Sequence, residues 1–255
     1  MAAKHHYVYG LHAVRALLAR RPRAIRAATV LETPAGAALA ALAAEIEALG
    51  VPVARAPRAG LDRLAAGGRH QGIVVEVAPR REFTVQDFEA LVLERGRAVR
   101  LLVLDGVEDP RNLGACLRTA DAAGVDAVVV PRARSAKLTA AAEKTATGAA
   151  ETVPVVEAPN LARMLAWLKE AGVWVVGADA AAPKSLYEAT LAPPIAVVLG
   201  GEGRGLKHLT RERCDELVAI PTVGSVESLN VSVAAGVLLF ELLRQAPVVA
   251  AGRTE

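Results

Sequence analysis

Between residues 100 and 220 the chain repeats one pattern, a short and almost unbroken apolar run followed by a longer mixed stretch. The runs cover residues 100–104, 127–130, 153–156, 173–177, 195–199 and 217–220. Continuous Val, Leu and Ile without polar alternation suits a strand covered on both faces, as in a parallel sheet between helical layers. The segments 113–123, 139–149, 161–171 and 207–214 read as helices between these strands, and 228–243 as a closing helix. Strand and helix alternating over this length predict a doubly wound α/β domain at 98–255.

The front of the chain alternates on a smaller scale. Strands are expected at 7–9, 25–31, 51–54 and 73–77, and helices at 11–19, 37–49 and 60–66. Leu11, Val14, Leu17 and Leu18 keep a helical period, as do Leu39, Leu42, Ile46 and Leu49, and Gly50 stands where a helix C-terminus wants glycine. Residues 1–78 therefore read as a small α/β sandwich. The charged stretch 79–97, with a short helix at 85–94, reads as a linker.

At 255 residues the chain is long enough for two domains with a sizeable core. No apolar run approaches the ~18 residues of a membrane span, and residues 1–15 show no secretory h-region. The expectation is a cytoplasmic protein without membrane association. Cys116 and Cys214 form neither a disulfide framework nor a paired metal motif, and no His/Cys/Asp cluster stands at ligand spacing, so no metal is expected. Charge is uneven: residues 1–80 hold 11 Lys and Arg against 5 Asp and Glu, while residues 98–255 hold 16 against 18. A basic front joined to a near-neutral back suits an RNA-gripping module on a catalytic one. Arg15, Arg20, Arg21, Arg23 and Arg26 are the densest cluster and the candidate RNA contacts, although arginine near a helix C-terminus is favoured in any case. With only Tyr7 and Tyr9 as aromatics in this part, base stacking is not its mode of recognition.

Three polar, Gly-bearing loops follow apolar runs in the back half. They are Asn112-Leu-Gly114-Ala-Cys-Leu-Arg118-Thr-Ala120, Leu199-Gly-Gly201-Glu202-Gly203-Arg-Gly205-Leu206 and Ile220-Pro-Thr-Val-Gly224-Ser-Val-Glu-Ser228-Leu-Asn230-Val-Ser232-Val. Such loops gather at the carboxyl ends of parallel strands, where open α/β sheets take ligands. The second is GxGxG rather than GxGxxG and follows a late strand, which argues against a dinucleotide fingerprint.

Together these segments resemble the SpoU branch of the knotted (SPOUT) RNA methyltransferases, which move a methyl group from S-adenosylmethionine to a ribose 2′-hydroxyl. Tyr9-Gly10-Leu11-His12-Ala13-Val14 and His70-Gln71-Gly72-Ile73 resemble the start and end of the L30e-like RNA-binding domain that precedes many of them. Residues 109–125 are most similar to the bacterial enzymes of this branch that make 2′-O-methylguanosine in 23S ribosomal RNA. The resemblance implies a deep trefoil knot, a homodimer with sites completed across the interface, and 23S RNA as substrate at a guanosine of the peptidyl-transferase P loop. A transfer RNA methyltransferase of the same branch is the nearest alternative, and a non-catalytic RNA-binding or ribosome-assembly protein the alternative of another class.

By the same resemblance Arg118 faces the acceptor ribose, and Asn112, Glu202, Ser228 and Asn230 line the site. Main-chain groups of Gly200, Ile220 and Leu229 clasp the cofactor. Simpler roles stand beside these: a salt bridge from Arg118 to Asp121 or Asp105, helix N-caps at Asn112 and Ser228, and a solvated carboxylate at Glu202. Asn230 is an unfavourable choice inside a first helical turn, which favours a functional role. His5, His6, His12 and His70 read as surface or capping residues.

Overall fold

The computed structural model describes residues 6–33, 36–78, 82–201, 205–225 and 228–246, and these divide into two compact units.

The first unit takes in residues 1–82 together with 147–152. Its strands β1 (His6–Tyr9), β2 (Ile25–Leu31), β3 (Val53–Ala56) and β4 (Ile73–Val77) form one sheet in the order β1-β4-β2-β3. Strand β4 runs antiparallel to both neighbours, and β2 pairs with β3 in parallel. Helices α1 (Leu11–Arg20) and α2 (Ala37–Ala48) cover one face, where Val14, Leu17, Leu39, Leu42 and Ile46 pack on Ile25, Val30, Ile73 and Val75. Helix α3 (Arg58–Leu64) covers the other, with Leu61 against Val74 and the rings of Tyr7 and Tyr9. The two segments likened to the ends of an RNA-binding domain meet here. Gly10 N donates to Ile73 O at 3.2 Å, and Leu11 N donates to the Gln71 side chain at 3.2 Å. His70 is buried, accepts from Gly72 N at 3.0 Å and faces Asp62 at 3.1 Å, so it serves this turn.

The second unit holds a seven-stranded sheet that is parallel throughout. Its strands are β5 (Arg100–Asp105), β6 (Ala127–Pro131), β7 (Val155–Ala158), β8 (Trp174–Ala178), β9 (Lys184–Ser185), β10 (Ile195–Gly200) and β11 (Glu216–Ala219), in the order β7-β6-β5-β10-β8-β11-β9. Every residue of β6 and all but one end residue of β5 and of β10 are buried, as expected of strands covered on both faces. Around them lie α4 (Val85–Arg95), α5 (Pro110–Ala122), α6 (Ala140–Ala146), α8 (Leu161–Glu170), α9 (His208–Arg213) and α10 (Val231–Gln245).

The structure departs from the sequence expectation in two places. Residues 85–95 are not a linker: α4 buries Phe88 and Val92 among Leu101, Val103, Leu165 and Leu168, and a Thr84–Asp87 capping box starts it. The helix expected at 139–149 stops at Ala146. Thr147 and Gly148 take positive φ, and the short α7 (Ala149–Thr152) belongs to the first unit. A Cβ on Gly148 would stand 3.1 Å from that of Ala16, and Glu151 pairs with Arg21 at 3.1 Å.

Candidate active site

In the second unit the chain passes from β5 outward through β6 and β7, then crosses to β8, β10 and β11 on the other side. The switch point therefore lies between β5 and β10, and their carboxyl ends are where such a sheet takes a ligand. Gly200 ends β10 level with Asp105, which ends β5. The turn that leads to the first motif and the second motif thus start side by side.

Their closeness depends on missing side chains. A Cβ on Gly201 would collide with the carbonyl of Gly106, and one on Gly200 with the backbone of Gly205. Gly205 N donates to Gly201 O at 3.2 Å, which closes the second loop on itself. Past it, Lys207 turns back to Asp105: its backbone N–H donates to one carboxylate oxygen at 3.1 Å and its Nζ to the other at 2.6 Å. The Asp105 side chain is 1% exposed and that of Lys207 52%. A carboxylate at the end of a buried strand is costly unless its oxygens are bonded, and here both are. This pair was not among the site residues read from the sequence.

Asp109 caps α5 by accepting from Arg111 N at 2.8 Å, and Pro110 takes the first helical position, where its missing N–H costs nothing. Asn112 is therefore not the cap but lies inside the first turn. Gly114 lets α5 lie directly on α6, since a Cβ there would collide with Ala142 O and stand 2.8 Å from Thr145 Cβ. Arg118, further along α5, is exposed. Among the described residues it forms neither salt bridge suggested by the sequence, and Asp105 is taken by Lys207. Arg111 and Arg118, seven residues apart, share the exposed face of the helix.

The third motif ends at α10, whose cap is Asn230 rather than Ser228. Its side chain accepts from Ser232 N at 2.9 Å and Ser232 Oγ at 2.6 Å. The oddity of an asparagine within a first turn disappears, because Asn230 precedes the helix. Its Nδ2 also donates to Asn112 Oδ1 at 3.2 Å, tying the third motif to the first across 118 residues. Helix α10 packs along α5 and β10. Ser228 and Leu229 are exposed in the segment before the cap, and Ile220 is half-buried just past β11, with β8 between β11 and β10. Glu202 lies outside the described residues. Of the basic cluster in the first unit, Arg15, Arg23 and Arg26 are exposed, Arg21 is bonded to Glu151, and the Arg20 side chain lies outside the described residues.

The chemistry available is that of positioned polar groups. Burial pushes both the Cys116 and Cys214 thiols up to about 12, so neither is a thiolate nucleophile near neutrality. Among the described residues no three His, Cys, Asp or Glu side chains gather as metal ligands, and no helix is long and apolar enough to cross a membrane. What remains is a Gly-lined loop on the switch point, an exposed arginine on the adjoining helix and an asparagine pair linking the two outer motifs.

Known proteins share both halves. Residues 7–83 match a family described as RNA 2'-O ribose methyltransferase substrate binding. The 23S rRNA (guanosine-2'-O-)-methyltransferase RlmB of Yersinia pestis is 52% identical over 238 residues, covering 93% of this chain and 96% of that protein. A crystal structure of an RNA 2'-O ribose methyltransferase superposes with a TM-score of 0.74 at 26% identity, over 94% of this chain and 88% of its own. The SpoU methyltransferase AviRb from Streptomyces viridochromogenes, solved with AdoMet, reaches a TM-score of 0.78 over 94% of this chain and 90% of its own, at 20% identity a likeness of fold. With residues 100–240 matching the model of the SpoU rRNA Methylase family, the chain belongs to that family.

Proposed function

We propose that this protein is an S-adenosylmethionine-dependent enzyme that methylates the 2′-hydroxyl of a guanosine ribose in 23S ribosomal RNA, acting as a homodimer on the peptidyl-transferase P loop. One observation carries the reading: the Asn112–Asn230 bond joins the first and third motifs, and the second motif begins at the end of β10 beside β5, in a chain 52% identical to a 23S rRNA guanosine-2'-O-methyltransferase over nearly its full length.

The residues fit the cofactor. Gly200 and Gly201 let the second loop pack its backbone directly on Gly205 and Gly106, and main-chain groups of Gly200, Ile220 and Leu229 are the proposed clasp. When bound, S-adenosylmethionine supplies an electrophilic methyl group on a sulfonium. The 2′-oxygen would take that methyl group while the sulfur keeps the bonding pair, and the hydroxyl proton would pass to solvent water. This chain's task is alignment, which is worth on the order of 7 kcal/mol or more for a well-placed pair. Guanidinium is a poor base at its ordinary pKa, so Arg118 polarises the hydroxyl and holds the adjacent phosphate. Asn112 and Asn230, bonded to each other, fix that helix against the third motif. Glu202 and Ser228 are the remaining proposed site residues.

Helix α10 supports the dimer. Val233, Phe240 and Leu243 are 40–52% exposed at helical spacing, and Leu229 is 40% exposed just before the cap, an apolar surface that a second copy would cover. The knot implied by the resemblance finds support in the chain path, which leaves β10 for β11 and returns to lay α10 on α5 and β10.

The test is mass-spectrometric mapping of 2′-O-methyl groups on 23S RNA from a strain lacking the gene, before and after adding purified protein with S-adenosylmethionine. One methylguanosine lost and then restored is the expected result. An unchanged 23S map would overturn the assignment and direct the search to transfer RNA.

A further inference from the structure

Sequence reasoning places RNA contacts in the first unit, yet the second carries unpaired positive charge at the edge of its own site. Residues 132–139, the loop leaving β6, hold Arg132, Arg134 and Lys137 and no acid. The loop is held at several points. Arg132 N donates to Ala158 O at 2.8 Å, and the buried Ala136 donates its N–H to Val107 O at 2.7 Å, in the turn that leads from β5 into α5. Lys137 Nζ reaches back to Arg132 O at 2.9 Å and pairs with Glu157 at 2.7 Å. The lysine charge is thereby spent on the fold.

The two arginines are different. Both are exposed, and among the described residues neither has an acidic partner. Arg134 sits at φ +54°, in the left-handed region that glycine or asparagine holds at lower cost. The bonds on either side impose that backbone, and strain so over-determined is common where a side chain must be aimed. Several other cations of this unit are bonded, as in Arg95–Asp126, Lys169–Asp215, Lys184–Glu216, Arg211–Asp179 and Arg244–Glu241. Arg111, Arg118, Arg132 and Arg134, none with an acidic partner among the described residues, lie on the elements that follow the neighbouring strands β5 and β6.

We infer that Arg132 and Arg134 form a subsite for the phosphodiester backbone of RNA on the catalytic unit, gripping the strand beside the acceptor ribose. The chemistry favours phosphate over bases. Guanidinium forks match phosphate oxygens in two-bond geometry, and the loop carries no aromatic ring for stacking. The inference rests on the RNA-methyltransferase reading above and adds a binding site to it.

The experiment compares full-length wild type with the double variants Arg132→Ala/Arg134→Ala and Arg132→Lys/Arg134→Lys. The probe is an in vitro transcript of the 23S segment holding the mapped guanosine, with binding followed by fluorescence anisotropy across a salt series. Two lost phosphate contacts should weaken RNA binding on the order of tenfold at low salt and make the log–log salt slope shallower by about 1.4–1.8. The loss should fall on the RNA KM rather than on kcat, with S-adenosylmethionine affinity and Tm unchanged. The lysine pair should recover most of the slope. A wild-type slope in the alanine pair would overturn the inference, as would a joint fall of Tm and cofactor affinity, which would make the loop structural. A wild-type chain that binds cofactor but no transcript would overturn the RNA reading itself.

Discussion

Replacing Lys207 with methionine removes the Nζ contact to Asp105 while keeping the stem of the side chain and the backbone N–H that holds the second carboxylate oxygen. Two limits bound the cost. Stripping a partner from a fully buried ion pair costs about 3–5 kcal/mol, and removing an exposed pair about 0–1 kcal/mol. Here Asp105 is 1% exposed and Lys207 52%, so water can reach the oxygen that Nζ leaves. An intermediate cost of about 1.5–2.5 kcal/mol follows, close to that of one charge-assisted hydrogen bond. The pair ties the residues after Gly205 to the end of β5, so the cost should appear as looseness of the proposed cofactor loop. Calorimetric titration with S-adenosylmethionine should show Kd raised about tenfold, which is 1.4 kcal/mol. The remainder, about 0.1–1.1 kcal/mol, should lower Tm by no more than about 4 °C at ~2–4 °C per kcal/mol. Asp105→Asn should be worse, because its amide NH2 would face one of the two donors and the buried negative charge would be lost, and Lys207→Arg should be milder. Wild-type cofactor affinity in Lys207→Met beside a Tm lowered by several degrees would show that the pair serves the fold alone, and the positioning argument would fail.

Arg118→Ala should lower the methyl-transfer rate by roughly 10²–10⁴ and leave cofactor Kd unchanged; near wild-type single-turnover kinetics would remove Arg118 from the mechanism. Asn230→Asp keeps the cap on Ser232 but cannot donate to Asn112 Oδ1. It should hold Tm near wild type and lose activity, whereas Asn230→Ala should lose activity and about 1 kcal/mol of stability in denaturant melts. Gly114→Ala would drive a methyl into Ala142 O and Thr145, and such overpacking should cost about 1–3 kcal/mol by chemical denaturation. Hydrogen bonds from Arg244 and Gln245 hold the Glu241 carboxyl at about 2, down from 4.5. A folded pKa below the unfolded one gives stability that is full above about pH 4.5 and lost as pH falls through about 2. Glu241→Gln should therefore flatten the dependence of Tm on pH across that window.

The strands were legible because burial on both faces leaves no freedom in composition. The run expected at 195–199 is β10, Ile195–Gly200, and every residue of β6 is buried. Helix starts were harder for a physical reason. Asp, Asn and Ser cap almost equally well, and the first and third motifs each hold several of them, so propensity names the candidates without choosing among them. Asp109-Pro110 did carry the distinguishing sign, a cap followed by proline at the first helical position. At the other end only a long-range bond decides: Asn230 is both cap and donor to Asn112, and that double duty selects it over Ser228. Helix α4 was obscured in the same way. Its surface charges suggest a linker, while Phe88 is buried by residues that follow at least a dozen positions later. The Asp105–Lys207 pair spans 102 residues and has no local signature beyond an aspartate closing an apolar run before a glycine. Residue types at the site were thus readable one loop at a time, but their joining was not. That joining comes from strand order, which places β10 beside β5, and from bare glycine backbones that let Gly201 lie against Gly106. A valine at Gly201 would hardly change the strand-and-helix pattern of the sequence, yet its Cβ would fall on the Gly106 carbonyl and hold the two loops apart.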